Sequence, residues 1–173
     1  MVPLIETTRL RLRSFRESDL DAQAAVLADP AVMRFLGAKP HTREESWRRM
    51  LSSVGLWPML GYGYWLVERK ADGVYLGQVG FGDFKRDMAP SIEGLPEMGW
   101  IFAQRSHGHG YATEAVVAAL DWADEQLPHK EVTAIISPDN SASVRVAERA
   151  GFNIREDALY RDEPILLFRR RRA

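Results

Sequence analysis

The chain has 173 residues, of which 46% are hydrophobic and 27% charged, a balance typical of one globular domain of ordinary size. Its 23 basic and 24 acidic residues leave a formal charge of -1, which excludes a nucleic-acid binder that relies on bulk electrostatics. The absence of cysteine excludes disulfides, cysteine-based zinc sites and a thiol nucleophile.

The N-terminal segment lacks the features of a secretory signal. Met1 to Phe15 contain neither an apolar h-region nor a small-residue cleavage site. No apolar stretch approaches the ~20 residues that a membrane span needs. We therefore expect a cytoplasmic protein with no membrane partner.

The first 50 residues predict one strand followed by two helices. Residues Thr8–Phe15 alternate basic and apolar side chains, which indicates a strand with one wet face. Ser18-Asp19 is a helix start, and the helical stripe after it ends near Asp29-Pro30. A second helix is predicted to open at Thr42, where Glu45 completes a capping box.

The middle of the chain predicts three strands. Tyr64–Glu68 and Val74–Phe81 are rich in aromatic and β-branched residues, and Asp72-Gly73 between them indicates a hairpin. Residues Asp83–Pro96 are predicted to form a loop because they contain prolines and glycine. A further strand is predicted over Glu97–Phe102.

The last third predicts two helices and three strands. An apolar stripe from Ala112 to Leu127 indicates a long helix. Val132–Ile136 reads as a strand, and Asn140 or Ser141 caps a short helix that ends at Gly151. Two final strands are predicted near Asn153–Asp157 and Pro164–Arg169. The order predicts an α+β (mixed α/β) domain of about seven strands and four helices.

A glycine-containing turn separates the strand Glu97–Phe102 from the long helix. Helix N-termini present free N–H groups, and glycine lets the backbone approach a phosphate closely, so the turn suits a pyrophosphate. A plain strand-to-helix turn is the alternative. Gly110 is followed by Tyr111-Ala112, which excludes a P-loop, and Thr113 replaces the third glycine of the dinucleotide fingerprint.

This turn resembles the acetyl-CoA pyrophosphate loop of the GNAT superfamily of N-acetyltransferases. The family pattern Q/R-x-x-G-x-G/A falls on His107–Ala112, with His107 in place of Gln or Arg. Further segments resemble the RimJ/RimL-like group, which acetylates protein N-termini or other amines: Thr8–Arg13 with Ser18–Leu20, Glu97–Trp100, and Asn140–Arg145 with Ala150–Phe152. The resemblance covers residues 8–152 and implies one GNAT domain over residues 8–170.

The resemblance implies acetyl-CoA as cosubstrate and names the residues that would hold it. In this fold the central strand splays from its neighbour and frees backbone N–H groups, a role that falls on Ile101, Phe102 and Ala103. Asn140 would contact the cofactor arm, and Ser143 would lie near the sulfur. The pyrophosphate would lie on the turn and the start of the helix, formed by His107, Gly108, His109, Gly110, Tyr111, Ala112 and Thr113.

Amine acetylation needs a neutral amine, a polarised thioester carbonyl and a proton for the leaving thiolate. Glu97 is the predicted general base, acting directly or through water. Because Gly99 on the same strand face has no side chain, the carboxylate is expected to face an open substrate slot. The alternative is a glutamate at a strand end in water.

Ser143, or water in its place, is the predicted acid for the thiolate. Helix capping is the alternative for both Asn140 and Ser143. Many GNAT enzymes carry an acidic tyrosine four residues beyond this serine, where this chain has Ala147. Tyr160 is a distant alternative.

The remaining motifs predict less. His107 and His109 have no accompanying ligand cluster, so we expect no metal. The basic run Arg169–Arg172 is expected to be a solvated tail, with contact to an anionic acceptor as the alternative. Five aromatic residues line an acceptor pocket or, taken singly, belong to the core: Trp47, Trp57, Tyr62, Tyr64 and Trp65.

We therefore predict an enzyme that transfers acetyl from acetyl-CoA directly to a primary amine through a ternary complex. The rival is a non-catalytic acyl-CoA-binding domain; Glu97 favours the enzyme and the missing tyrosine favours the rival. The expected partner is an amine acceptor, a small molecule or a protein N-terminus, with no nucleic acid. The sequence leaves the acceptor and the oligomeric state open.

Overall fold

The computed structural model describes residues 1–36 and 39–172, which contain nine strands and five helices. The strands are β1 (Ile5–Glu6), β2 (Leu10–Arg13), β3 (Tyr64–Arg69), β4 (Tyr75–Gly82), β5 (Met88–Ala89), β6 (Glu97–Phe102), β7 (Glu131–Ile136), β8 (Ile154–Tyr160) and β9 (Glu163–Arg171). The helices are α1 (Leu20–Leu27), α2 (Pro30–Met33), α3 (Arg43–Leu60), α4 (Tyr111–Gln126) and α5 (Ser141–Arg149). None of these helices has the length and apolarity needed to cross a bilayer.

All nine strands form one sheet in the order β1-β2-β3-β4-β6-β7-β9-β8-β5. Neighbouring strands are antiparallel except β6 and β7, which are parallel. These two strands share a single residue pair, Glu97 with Thr133, and the Thr133 N–H donates to the Pro96 carbonyl at 3.0 Å. Beyond Glu97 the two strands separate, which opens a gap in the middle of the sheet.

Helices cover both faces of the sheet because the side chains of each strand alternate between them. Along β3, Trp65 packs in a core with α4 and α5, whereas Leu66 packs in a second core with α1 and α3. Both side chains are fully buried. The sheet therefore separates an α4/α5 side from an α1/α3 side.

Local signals place several element ends where the sequence predicts them. The Thr42 hydroxyl accepts from the Glu45 N–H at 3.2 Å while the Glu45 carboxylate accepts from the Thr42 N–H at 2.7 Å, so the capping box is confirmed. The hairpin at Asp72-Gly73 joins β3 to β4, and Gly73 adopts a φ of +70°. Gly151, with a φ of +90°, follows α5 as predicted.

The fold class is confirmed, but the described ranges hold more elements than the predicted seven strands and four helices. The additional elements are the two-residue strands β1 and β5 and the single turn of α2. β5 lies inside the predicted loop Asp83–Pro96 and pairs with β8 through Met88 and Tyr160. Elements this short have no repeating hydrophobic pattern, so periodicity cannot reveal them.

The basic run Arg169–Arg172 is not a solvated tail. Most of it belongs to β9, which lies between β7 and β8 inside the sheet. Arg169 pairs with Glu131 at 2.5 Å, and Arg170 donates to both Asp124 oxygens at 2.8 and 2.6 Å. Charge counting along the chain misses these partners because they lie 38 and 46 residues away.

Candidate active site

The turn before α4 is open and left-handed at both glycines. Gly108 and Gly110 have φ values of +79° and +78°, and Gly110 is the N-cap of α4. A Cβ at Gly108 would meet nothing within 4 Å, and one at Gly110 would meet only the Arg9 side chain at 3.5 Å. Left-handed residues at a helix start direct neighbouring N–H groups to one side and form an anion-binding concavity. The turn therefore fits a phosphate group.

The start of β2 and the residues just before it hold this turn in place. The Arg9 Nη1 donates to the His109 carbonyl at 2.8 Å, and its Nε donates to the Glu114 carboxylate at 2.7 Å. The guanidinium also lies 4.7 Å from the centre of the Tyr111 ring. Burial raises the pKa of Glu114, but hydrogen bonds from Thr7 and Arg9 outweigh it and hold that pKa below its ordinary value. Arg9 thus fixes the turn and the first helical turn together.

The backbone of β6 alternates between its two neighbours, and this decides which N–H groups face the gap. The Ala103 N–H donates to the Leu76 carbonyl at 2.8 Å, on the β4 side. The Pro96 carbonyl accepts from Thr133, on the β7 side. By alternation, the N–H groups of Met98, Trp100 and Phe102 point toward β7. The Met98 N–H belongs to the single parallel pair of Glu97 with Thr133, so those of Trp100 and Phe102 face the gap.

This alternation corrects part of the predicted cofactor contact. Of the three residues expected to offer free N–H groups, Phe102 faces the gap. The N–H of Ala103 is already bonded within the sheet, and that of Ile101 points the same way. The sequence does not determine which parity of β6 faces β7, so this error is one of register.

Asn140 and Ser143 lie at the start of α5, directly beyond β7. The Asn140 Oδ1 accepts from the Ser143 N–H at 3.1 Å, so the capping alternative is confirmed for Asn140. Ser143 is half-buried in the first turn of the helix. Ala147, where many GNAT enzymes carry tyrosine, is fully buried in the core with α4. A tyrosine there would have to displace core packing.

Glu97 is buried and paired with an arginine that the sequence analysis missed. Arg86 donates from Nε to one carboxylate oxygen at 2.5 Å and from Nη2 to the other at 2.8 Å. The guanidinium lies 5.0 Å from the Phe84 ring centre and 4.7 Å from that of Tyr160. Burial lowers the pKa of Arg86, but hydrogen bonds to Glu97 outweigh it and raise that pKa above its ordinary value. No local motif marks Arg86, because it lies in the irregular stretch before β6.

The expected open slot over Gly99 is filled. A Cβ on Gly99 would lie 2.4 Å from the Tyr64 hydroxyl oxygen, so this tyrosine occupies the space. Tyr64 is 7% exposed, and burial followed by the nearby Glu97 carboxylate raises its pKa. The expectation of an empty slot is wrong because the side chain of Tyr64, two strands away, extends over β4 to reach it.

The other predicted residues lie outside this corner. Trp57 and Trp65 pack edge-to-face with Trp122 in the core, and Tyr62 packs against His129. Trp47 instead lines an open cleft of about 970 Å³ beside Arg16 and Arg43. Within the described residues, no group of three or more His, Asp or Glu side chains is placed to hold a metal ion. The His109 ring stacks on Tyr111, with 5.5 Å between centres.

Comparison with known proteins decides the family. Residues 9–153 match the acetyltransferase (GNAT) domain. The chain belongs to the GNAT acetyltransferase family. It is 33% identical over 174 residues to the YkkB protein of Bacillus subtilis (strain 168), an alignment that covers 95% of this chain and 94% of YkkB.

Two solved structures share the fold of this chain. An acetyltransferase from Agrobacterium tumefaciens strain C58 has a TM-score of 0.83 and 28% identity, with 99% of this chain and 96% of that one covered. RimL, a ribosomal L7/L12 alpha-N-protein acetyltransferase solved in complex with coenzyme A, has a TM-score of 0.79 and 19% identity, with 98% of each chain covered. The protein is therefore an acetyl-CoA-dependent GNAT acetyltransferase.

Proposed function

We propose that this enzyme transfers acetyl from acetyl-CoA directly to a primary amine in a ternary complex, using one domain over residues 8–170. The observation that carries the proposal is the continuity of two surfaces. The left-handed glycine turn at α4 follows directly from the unpaired edge of β6. The first surface suits a pyrophosphate, and the second suits the amides of an extended arm.

The N–H groups from Gly108 to Thr113 would hold the pyrophosphate of acetyl-CoA. Gly108 and Gly110 leave the approach free of side chains. The positive end of α4 adds electrostatic attraction for the phosphates. The His107 N–H is already bonded to the Gln104 carbonyl at 3.0 Å, so this predicted residue would not donate its N–H to the phosphates.

The arm of the cosubstrate would lie along the open edge of β6. The gap-facing N–H groups of Trp100 and Phe102 would donate to its amide carbonyls. The Oδ1 of Asn140 accepts the helix-cap hydrogen bond, and its side-chain N–H groups would donate to the arm. The bound cosubstrate supplies an activated acetyl thioester at the Glu97 end of the strand.

Glu97 would accept the proton that the acceptor amine must lose, directly or through water. A carboxylate offers about four lone-pair positions, and Arg86 uses two of them. In the reaction an N–C bond forms as the C–S bond breaks, and one proton leaves the amine while one reaches the sulfur. Ser143 or water would deliver that last proton, since Ala147 has no hydroxyl.

The acceptor class stays open between small-molecule amines and protein N-termini. The likeness to RimL, at 19% identity, extends to the fold alone. The rival, a non-catalytic acyl-CoA-binding domain, would use the same turn and gap. The two proposals differ in one observable, which is release of free CoA thiol.

The test incubates the protein with acetyl-CoA and a panel of amines that includes small amines and peptides with free N-termini. We expect thiol release that depends on the amine, together with acetyl-CoA binding measured by calorimetry. Tight binding without thiol release for any amine would favour the non-catalytic rival. Absence of binding would overturn the site itself.

A further inference from the structure

The side chain of Tyr64 crosses the sheet to reach the strand that carries Glu97. Tyr64 in β3 pairs with Gly80 in β4, and Gly80 pairs with Gly99 in β6. A Cβ on Gly80 would lie 2.4 Å from the Tyr64 Cα, so β3 and β4 approach closely here. The hydroxyl then lies where a side chain at Gly99 would begin. The tyrosine ring can pass over β4 to β6 because Gly80 and Gly99, which face each other on these two strands, have no side chains.

The Tyr64 side chain is 7% exposed, and its hydroxyl oxygen, which is not fully enclosed, makes no hydrogen bond within residues 1–36 and 39–172. In those ranges only the main-chain oxygen of Tyr64 takes part in a side-chain hydrogen bond, accepting from Trp57 Nε1 at 3.1 Å. The charged side chains Glu97, Arg86 and Arg49 act on the hydroxyl electrostatically, without a hydrogen bond to it. The polar end of a largely buried side chain normally has a partner, so an unpaired and accessible hydroxyl at a substrate gap points to a ligand atom as that partner.

The position of the hydroxyl selects that partner. Glu97 and Gly99 share one face of β6, so the hydroxyl lies on the same face as the proposed base. It also lies beside the stretch of β6 that has separated from β7. The part of acetyl-CoA that reaches this point is the acetyl thioester, if the proposed function holds.

We propose that the Tyr64 hydroxyl donates a hydrogen bond to the carbonyl oxygen of the bound acetyl thioester. This inference rests on the proposed function. Negative charge develops on that oxygen as the amine attacks, and a donor already in place stabilises it. No proton is transferred: the hydroxyl keeps its proton because burial and the Glu97 carboxylate raise the pKa of Tyr64. The proton delivered to the sulfur still comes from Ser143 or water.

The first test needs no acceptor. Acetyl-CoA labelled with ¹³C at the carbonyl is bound to wild type, Tyr64→Phe and Tyr75→Phe, and the carbonyl stretch is read by difference infrared spectroscopy. A hydrogen bond lowers this frequency, so we expect a higher frequency in Tyr64→Phe than in the other two proteins. Tyr75 is the matched control, since it is equally buried at 7% exposure in the same core. An unchanged frequency in Tyr64→Phe overturns the proposal.

The second test is kinetic. Loss of one such donor lowers kcat by about 10²–10³-fold, and we expect this in Tyr64→Phe with unchanged acetyl-CoA affinity. Because the hydroxyl does not titrate, the deficit should be the same from about pH 6 to about pH 9, unlike the deficit of a base variant. Removal of an unpaired hydroxyl should not lower the melting temperature. Equal kcat in Tyr64→Phe and wild type overturns the proposal.

A double-mutant cycle tests the contact with Gly99. Gly99→Ala places a methyl group on the hydroxyl, so it should lower kcat in wild type. In the Tyr64→Phe background the hydroxyl is gone, and the same change should have little further effect. Additive losses would contradict the contact. If wild type acetylates no amine, the proposed function fails, while the infrared measurement still decides the role of Tyr64.

Discussion

Replacement of Glu97 by glutamine separates two roles that the structure gives this carboxylate. The change removes a base, neutralises the ion pair and replaces one of the two oxygens that accept from Arg86 at 2.5 and 2.8 Å by an NH2 group, which cannot accept. The two side chains are 7% and 20% exposed, and loss of one partner from a buried pair costs about 3–5 kcal/mol. Because Arg86 keeps some exposure and its two aromatic contacts, we expect about 3 kcal/mol of lost folding stability, the low end of that range.

The catalytic loss has a different size and a different pH dependence. A positioned base is worth about 10²–10⁴ in rate, so Glu97→Gln should lower kcat by that range with little change in acetyl-CoA affinity. Amine acceptors have pKa values near about 8–10, so free amine accumulates as the pH rises. The deficit should therefore shrink at high pH. The assay is a pH–rate profile with one confirmed acceptor.

Arg86→Gln is the matched control, because it breaks the same ion pair and keeps the carboxylate. Both variants should lose similar stability in denaturant unfolding. Only Glu97→Gln should lose the base. Arg86→Gln should therefore lower kcat by less than about tenfold, a smaller loss than the roughly 10²–10⁴-fold expected when the base is removed. Equal kcat losses in the two variants would assign Glu97 to holding Arg86 in place. Parallel profiles with less than about a threefold difference between Glu97→Gln and wild type would remove it from the chemistry.

Three further predictions concern the cosubstrate turn. Acetyl-CoA and desulfo-CoA should each raise the unfolding free energy by about 2.7 kcal/mol at 100 times their dissociation constants, and no thermal shift with either would refute the turn as a binding site. Gly110→Val should weaken acetyl-CoA binding in calorimetry, whereas Gly94→Val, which imposes the same strain at a φ of +84° in open space, should leave the affinity unchanged; equal affinities in both variants would place the pyrophosphate elsewhere. The pKa of Glu114 is lower in the folded state than in the unfolded state, so its contribution to stability is complete above the unfolded pKa and is lost as the pH falls through the folded value. Glu114→Gln should therefore make the free energy of unfolding less dependent on pH near about pH 4. An unchanged pH dependence in this range would contradict the pairing with Arg9.

Features set by neighbouring residues were predictable from the sequence. The capping box of Thr42 and Glu45, the hairpin at Gly73 and the glycine turn before α4 depend on local hydrogen bonds and on φ values that glycine permits. The bounds of β6 also agree with the prediction, because β-branched and aromatic residues between two loops leave little choice. These signals need no knowledge of the rest of the chain.

Features set by distant contacts were not predictable. Arg86 reaches Glu97 only because the loop between β4 and β6 folds back, and the Tyr64 hydroxyl reaches Gly99 through two strand pairings. The parity of the β6 edge depends on its register with β4, which no motif in the strand encodes. The contacts of this site join residues that are distant in the chain. The sequence therefore indicates the candidate residue types but not their geometry.

The single pair between Glu97 and Thr133 gives the sheet a pivot. The strands β1, β2, β3, β4 and β6 lie on one side of this pair, and β7, β9, β8 and β5 lie on the other. A motion that widens the gap displaces each atom in proportion to its distance from this pivot. The proposed base therefore moves least, while the far end of β6, toward the cosubstrate turn, moves most. Widening of the gap by a bulky ligand would then leave Glu97 and Thr133 paired.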